Sequence, residues 1–410
     1  MIRRALTNTG WLMGARTING VLSLVYLALA TRSLGLEDFG QFVICTTFGP
    51  VLAALVSFQT WQVVVHWGQD KDVLPDAVGF AIALDLLSIA AGTIIGAALL
   101  GLGGDWLPIN DELRLPTFLF LLSFLVSIRL TPTGILRLHD HYGRAATADA
   151  MTSIVRVAGA GLVVLVQPSI AGFLMVWAMA EIVTAIAYWI MAARTQPLYV
   201  RHTSLLRIPR AQEKAWQFVI GTSLSGMLTV ASRQFLVLLV GVFGGAAMAG
   251  IYRVAAQIGE GLLKLAQALL RAVYPEMARA PDEARMLAGR IARIGIATGV
   301  VAVGVSALAG EWVIKAVASK EFLAAYIPMI VLSAAAALEL SGASMEALLV
   351  ARGRAMLNFA LRAIPTALAL LALPWLVDWL GATGAALAVM AASAATVAGF
   401  VIANRREKQS

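Results

Sequence analysis

Charge and sulfur are scarce in this chain. Of its 410 residues only 13% are Asp, Glu, Lys or Arg and 60% are hydrophobic, with a mean hydropathy of +0.83, against roughly 25% charged and 45–50% apolar in an ordinary soluble domain. So little polar surface cannot cover so much apolar side chain, and a soluble globule is excluded. The single cysteine, Cys45, stands in an apolar stretch, which excludes a disulfide framework and a Cys-based metal site. Histidine is also rare. His139-x-His141 has metal-like spacing but lies in a basic loop with only Asp140 beside it, so it reads as a surface turn and no metal site is expected. No G-x4-G-K-[ST] segment occurs, so no ATPase and no bound cofactor is expected. The net charge of +8 would suggest nucleic acid in a soluble protein. Here it points to biased loops, and nucleic acid is not an expected partner.

What is present in excess is the long apolar run. Runs and their breakers give helices at 10–31, 42–65, 77–102, 116–136, 146–166, 169–193, 216–240, 249–272, 289–309, 326–350, 358–377 and 381–403. The fold class is all-α and polytopic, with twelve transmembrane helices. An even count puts both termini on one side. The loops on that side carry eighteen Lys and Arg against four on the other (Arg32, Arg114, Lys315 and Lys320), and the positive-inside rule makes both termini cytoplasmic. Arg3 and Arg4 ahead of an apolar run imitate a signal peptide, but the run is too long and holds Arg16.

Gly35-x4-Gly40-x-Phe42 recurs as Gly245-x4-Gly250-x-Tyr252 with every position displaced by 210 residues. Both copies join the first and second helices of a six-helix set, which indicates two pseudo-symmetric lobes. The expected organisation is a six-helix lobe at 1–193, a basic cytoplasmic linker at 194–215 against the anionic leaflet, a second lobe at 216–403 and a tail at 404–410. Gly92-x3-Gly96 and Gly295-x3-Gly299, in the third helix of each lobe, are expected to permit close helix contact.

The segment Ala30-Thr31-Arg32-Ser33-Leu34-Gly35-Leu36-Glu37-Asp38-Phe39-Gly40, with Gly250-Ile251-Tyr252-Arg253-Val254-Ala255 and Tyr274-Pro275-Glu276, resembles the polysaccharide-exporting, Wzx-like flippases of the multidrug/oligosaccharidyl-lipid/polysaccharide (MOP) superfamily. The resemblance implies alternating access between two lobes, with a lipid-linked oligosaccharide as substrate, membrane lipids as partners and the bacterial inner membrane as location. One departure is that Ser232, rather than the acid often found there, precedes Arg233.

Six cations (Arg16, Arg129, Arg156, Arg233, Arg253 and Lys264) and six acids (Asp85, Asp149, Glu181, Glu260, Glu339 and Glu346) fall inside the spans. Facing lipid, they would cost about 30–40 kcal/mol together, more than any plausible stability. They must pair, snorkel or meet water. Helical spacing aligns Arg253, Gln257, Glu260 and Lys264 on one face, and likewise Asp149, Ser153 and Arg156. Arg156 and Arg233 are deep and without an acid within a turn of their own helix. Guanidiniums suit a pyrophosphate because they donate paired hydrogen bonds and stay charged. The expected substrate-binding residues are therefore Arg156, Arg233, Arg253, Arg16, Arg129 and Lys264. Glu260, Glu339 and Glu346 are expected to couple a proton or sodium gradient.

Two other functions compete. A drug or organic-cation antiporter on the same fold would need an acid in the first helix, which has Arg16 and no Asp or Glu. A polytopic glycosyltransferase or acyltransferase would need a general base or metal carboxylates in a sizeable loop. The outer loops are short and no histidine is deep in a span, so the chain is not expected to be an enzyme.

Overall fold

The computed structural model describes residues 2–103, 107–198, 200–259, 284–351 and 354–406, with side chains excepted at 2–18, 200, 225–226, 228–233, 284–294 and positions scattered through 343–355 and 404–406. Every regular element among these residues is helical, because in lipid only a helix or a closed barrel satisfies its own backbone groups. The first half of the chain contains α1 (Ile2–Val56), α2 (Thr60–Trp67), α3 (Leu74–Leu102), α4 (Asp111–Val126), α5 (Leu130–Leu138), α6 (Tyr142–Val166) and α7 (Ile170–Thr195). A short α8 (Arg207–Ala211) leads to α9 (Ala215–Gly244), the helix 246–259 (α10), α11 (Ala284–Val317), α12 (Tyr326–Ala351) and α13 (Ala355–Arg406).

Helices α1 and α13 are each two helices joined at a non-helical glycine, Gly35 at φ 75° and Gly381 at φ 59°. With those joints counted, the described residues follow the twelve-helix order expected from the apolar runs. Eight stretches among them are long and apolar enough to cross a membrane. Two expected spans are interrupted rather than continuous. The second breaks at Ser57–Gln59 between α1 and α2, and the fourth breaks at Ser127–Arg129 between α4 and α5. The second break has a covalent cause, since Pro132 in the first turn of α5 has no N–H for Ile128 and its ring crowds that carbonyl.

The chain packs as two compact units, Met1–Leu34 with Gln41–Leu238, and Gly35–Gly40 with Leu239–Ser410. In the first unit a buried core joins Val63 and Val64 of α2, Phe80 of α3, Ile135 of α5, and Ala215 and Val219 of α9. The segment expected as a linker at 194–215 is folded onto α3, where Ile208 is buried in that core and His202 and Arg207 contact Asp76 at 2.6 and 3.0 Å. The glycine pair of α3 does what its spacing promised. A Cβ at Gly96 would stand 2.1 Å from Leu121 Cδ2, and one at Gly92 would stand 2.8 Å from Leu125 Cδ2, so α3 and α4 approach where side chains are missing.

In the second unit a Cβ at Gly299 would meet Ala337 Cβ at 2.5 Å, the same device between α11 and α12. Both copies of the repeated turn lie against each other there. Gly245, like Gly35, has a positive φ of 83°; a Cβ on Gly40 would stand 2.0 Å from the Ala246 oxygen, and one on Gly250 would stand 3.3 Å from Gly40 Cα. The matched sequence thus has a matched backbone, and only glycine tolerates both the conformation and the approach.

Candidate functional site

The break between α4 and α5 places Arg129 at the N-cap of α5, with no side-chain capping bond. The helix macrodipole opposes a cation at that end. The opposition is relieved by Glu181 of α7, whose Oε2 is 2.7 Å from Arg129 Nη1. The other oxygen of the same carboxylate, Oε1, accepts a hydrogen bond from Arg156 Nη2 of α6. One acid therefore holds two guanidiniums from two other helices. The Glu181 side chain is 5% exposed, whereas Arg129 and Arg156 keep 28% and 21% exposure, so the carboxylate lies behind the cations.

Aromatic packing sets the pose of Arg156. Its Cζ lies 4.0 Å from the centre of the Trp177 ring, and Trp177 precedes Glu181 by four residues on one face of α7. Tyr26, Phe42 and Phe120 hold that ring at centroid distances of 5.7, 5.8 and 6.3 Å. Arg156 Nε is buried and has no hydrogen-bond partner among the described residues. A guanidinium with one spent and one unspent edge is a donor set awaiting an acceptor. Beside it, the Arg129 Cζ is 5.8 Å from the Tyr188 ring, and the Tyr188 hydroxyl donates to Asp149 Oδ1 at 2.9 Å. Arg129, Arg156 and Glu181 sum to +1, and Asp149 brings the wider cluster to zero.

The cluster sits deep. At 1.5 Å per residue Arg156 is about 21 Å from the Tyr142 end of α6 and about 15 Å from the Val166 end. Arg129 is turned inward to Glu181.

The other expected residues divide in three. Arg16 and Arg233 lie in α1 and α9, with side chains outside the described residues; Glu260 and Lys264 lie outside them altogether. Arg253 is on α10, half-buried, and has partners of its own. Of the expected coupling acids, Glu339 accepts from Ser393 Oγ at 3.0 Å, while Glu346 is 2.7 Å from Arg362 Nη2, the arrangement of a neutralising pair. Arg156 indeed has no acid within a turn on its own helix, and its paired acid comes from α7, 25 residues on. The i, i+4 spacing of Trp177 and Glu181 was the available signal for that face.

Asp70-Lys71-Asp72 has the spacing of a metal-binding carboxylate pair, but it forms an exposed turn in which Asp72 N–H donates to Asp70 Oδ1 at 3.0 Å. No three His, Cys, Asp or Glu side chains converge among the described residues.

A family model described as polysaccharide biosynthesis protein matches residues 5–280. The inner membrane protein YghQ of Escherichia coli (strain K12) is 27% identical over 341 residues, which is 79% of this chain and 95% of YghQ. An inward-facing multidrug resistance MATE family transporter of the MOP superfamily aligns with a TM-score of 0.72 at 17% identity, covering 94% of each chain. The lipid II flippase MurJ, in an inward closed conformation, aligns with a TM-score of 0.72 at 14% identity, covering 96% of this chain and 87% of MurJ. At those identities the two structures speak for the fold alone. A chain of membrane-crossing helices whose residues 5–280 match that family model thus belongs to the polysaccharide biosynthesis protein family.

Proposed function

We propose that this protein moves a polyprenyl-pyrophosphate-linked oligosaccharide across the bacterial inner membrane by alternating access, for cell-surface polysaccharide synthesis. The observation that carries the reading is the pair Arg129 and Arg156 on the single acid Glu181, with Arg156 Nε left unbonded among the described residues. Hydrocarbon rejects a pyrophosphate more strongly than any other part of such a lipid. Two guanidiniums at mid-depth offer it paired, permanently charged donors. Glu181 serves as the resting counter-ion. When the site is empty it removes the cost of two lone cations, and when the pyrophosphate arrives its oxygens share the guanidiniums with it. Arg16, Arg233, Arg253 and Lys264 retain the substrate-binding role their sequence positions suggest. The family and the names of YghQ and MurJ support a lipid-linked substrate and an inner-membrane location, and the bias of Lys and Arg among the loops supports cytoplasmic termini. A drug or organic-cation antiporter is disfavoured at this cluster because its deepest acid is already held by two arginines.

In cells lacking the gene, lipid-linked oligosaccharide should accumulate on the cytoplasmic leaflet, and the wild-type gene should clear it. R156A and R129A should fail to clear it at equal membrane abundance, while R156K, which keeps charge without the planar fork, should clear part. No accumulation in the deletion strain would overturn the substrate class. Full clearance by an abundant R129A/R156A double variant would overturn the site. Labelling of a cysteine placed at Thr203 or Ser410 from the periplasmic side would overturn the topology.

A further inference from the structure

A second buried carboxylate lies close by, and no cation among the described residues is paired with it. Asp85 of α3 is 5% exposed. Its Oδ1 accepts from the Thr60 hydroxyl at 2.9 Å and its Oδ2 from the Thr131 hydroxyl at 2.6 Å, while the Thr131 backbone N–H adds a third donor. Both threonines are fully buried. Their positions share a logic. Thr60 opens α2 immediately after the break at 57–59, and Thr131 is in the first turn of α5 immediately after the break at 127–129. Two half-helices thus aim their N-terminal ends, where backbone N–H groups are free and the dipole is positive, at one carboxyl group. Asp85 itself lies about 16 Å from the Leu74 end of α3 and about 26 Å from the Leu102 end.

The charged and titratable groups on the packed elements are engaged elsewhere. Asp76 of α3 holds His202 and Arg207; His66 of α2 stacks on Phe218 at 4.5 Å; Arg137 of α5 lies 4.3 Å over Trp61; and Arg129 is on Glu181. A carboxyl group at this depth without a paired cation can exchange its charge only with a small cation. Hydroxyl donors at 2.9 and 2.6 Å occupy its two oxygens, which leaves a proton as the ligand that fits without dismantling the site.

We propose that Asp85 is the proton-binding group of this transporter, and that its charge clamps the two helix breaks to α3. Resting on the flippase reading, this assigns the coupling ion and its site. Ionised, Asp85 accepts from both threonines and holds the α2 and α5 ends in place. Taking up one proton removes the charge that strengthens these hydrogen bonds and makes one of its oxygens a donor, so the threonine on that oxygen must turn its hydroxyl from donor to acceptor and the hold on that half-helix weakens. Because Arg129 caps α5 only two residues before Thr131, release of the break moves a guanidinium of the substrate cluster. Proton uptake and substrate grip are thereby joined through one short segment, 127–131. Glu260, Glu339 and Glu346 are then not the coupling acids.

The test uses the full-length protein in lipid nanodiscs. On acidification, infrared difference spectra should show a protonated carboxyl band that is lost in D85N, retained in E260Q, E339Q and E346Q, and equal in sodium and potassium buffers. Hydrogen–deuterium exchange, corrected for intrinsic pH dependence, should quicken at 57–64 and 126–134 on acidification, and D85N should hold the acid-like rate at every pH. T131V, which keeps the carboxyl, should shift the midpoint of the band and provides the test if D85N does not fold. Persistence of the band in D85N, its loss in one of the three Glu variants, suppression by sodium, or an unmoved T131V midpoint with unaltered exchange would overturn the proposal. These readouts need no substrate, so they stand or fall apart from the export assay on the arginines.

Discussion

Glu181 and Asp85 are both carboxylates buried at mid-depth in the same unit, with 4% and 5% exposure, yet they are stabilised in opposite ways. Glu181 is held by two permanent cations. Asp85 is held by hydroxyls, a backbone N–H and the ends of two half-helices, all neutral. The difference teaches where a membrane protein can afford a change of charge. A carboxylate between arginines cannot lose its charge without stranding two others, whereas one between hydroxyls can, because a hydroxyl can turn from donor to acceptor.

The sharpest way to break this comparison is to neutralise both acids. E181A should cost about 3–5 kcal/mol, since it leaves two guanidiniums without their acid, and E181Q should likewise collapse the membrane level, measured by fluorescence size-exclusion of the tagged protein. D85N keeps shape and most hydrogen bonds and should leave the level near wild type. Equal loss in both would show that the two sites are the same kind of ion holder. Next in size is T131V, which removes one hydrogen bond to a buried carboxylate and should cost about 1.5–3 kcal/mol; T131S should restore most of it in thermal melts. W177L should then lose about 1–2 kcal/mol, from the cation–π contact of Arg156, with W177F intermediate. A W177L variant as stable as wild type would mean that Glu181 alone poses Arg156.

The smallest effect separates these sites from an unrelated source of pH dependence. His141 lies in the turn between α5 and α6, outside the spans, and desolvation, then the charges of Arg144 and His139, hold its imidazole below the ordinary value against the pull of Asp140. The folded protein therefore takes up this proton at lower pH than the unfolded chain does. The associated stability is present above about pH 6.5 and is lost as pH falls through the folded value. H141N should remove a shallow acid-side slope from the melting temperature and leave the Asp85 infrared band unchanged.

Legibility in the sequence followed the range of the interaction. The helices were plain because apolar runs are local, and the duplicated turn was plain because glycine marks positive φ at Gly35 and Gly245 alike. The α3 glycine pair predicted a contact because missing side chains are visible in any sequence. Glu181 was visible as a buried charge but had no role, since its partners come from helices 52 and 25 residues away and leave no spacing rule. The break at 127–129 had a signal in Pro132 that a hydropathy reading passes over. The break at 57–59 has no proline to announce it; its Gln59 N–H is met at 3.3 Å by Ser223 Oγ of α9, 164 residues later. The Asp85 site depends on both breaks, so it could be seen only once the backbone was known.

The contact between the two copies of the repeated turn also bears on how the chain is made. Residues 35–40 pack with 239–410, and Gly40 rests where its Cβ would touch the oxygen of Ala246, a residue translated 206 positions after it. At about 5–20 residues per second, the early turn waits roughly 10–40 seconds for the surface it will lie against. Biogenesis of this protein therefore includes a step that cannot be completed helix by helix as the chain emerges, and the two glycine turns mark where the late half must find the early one.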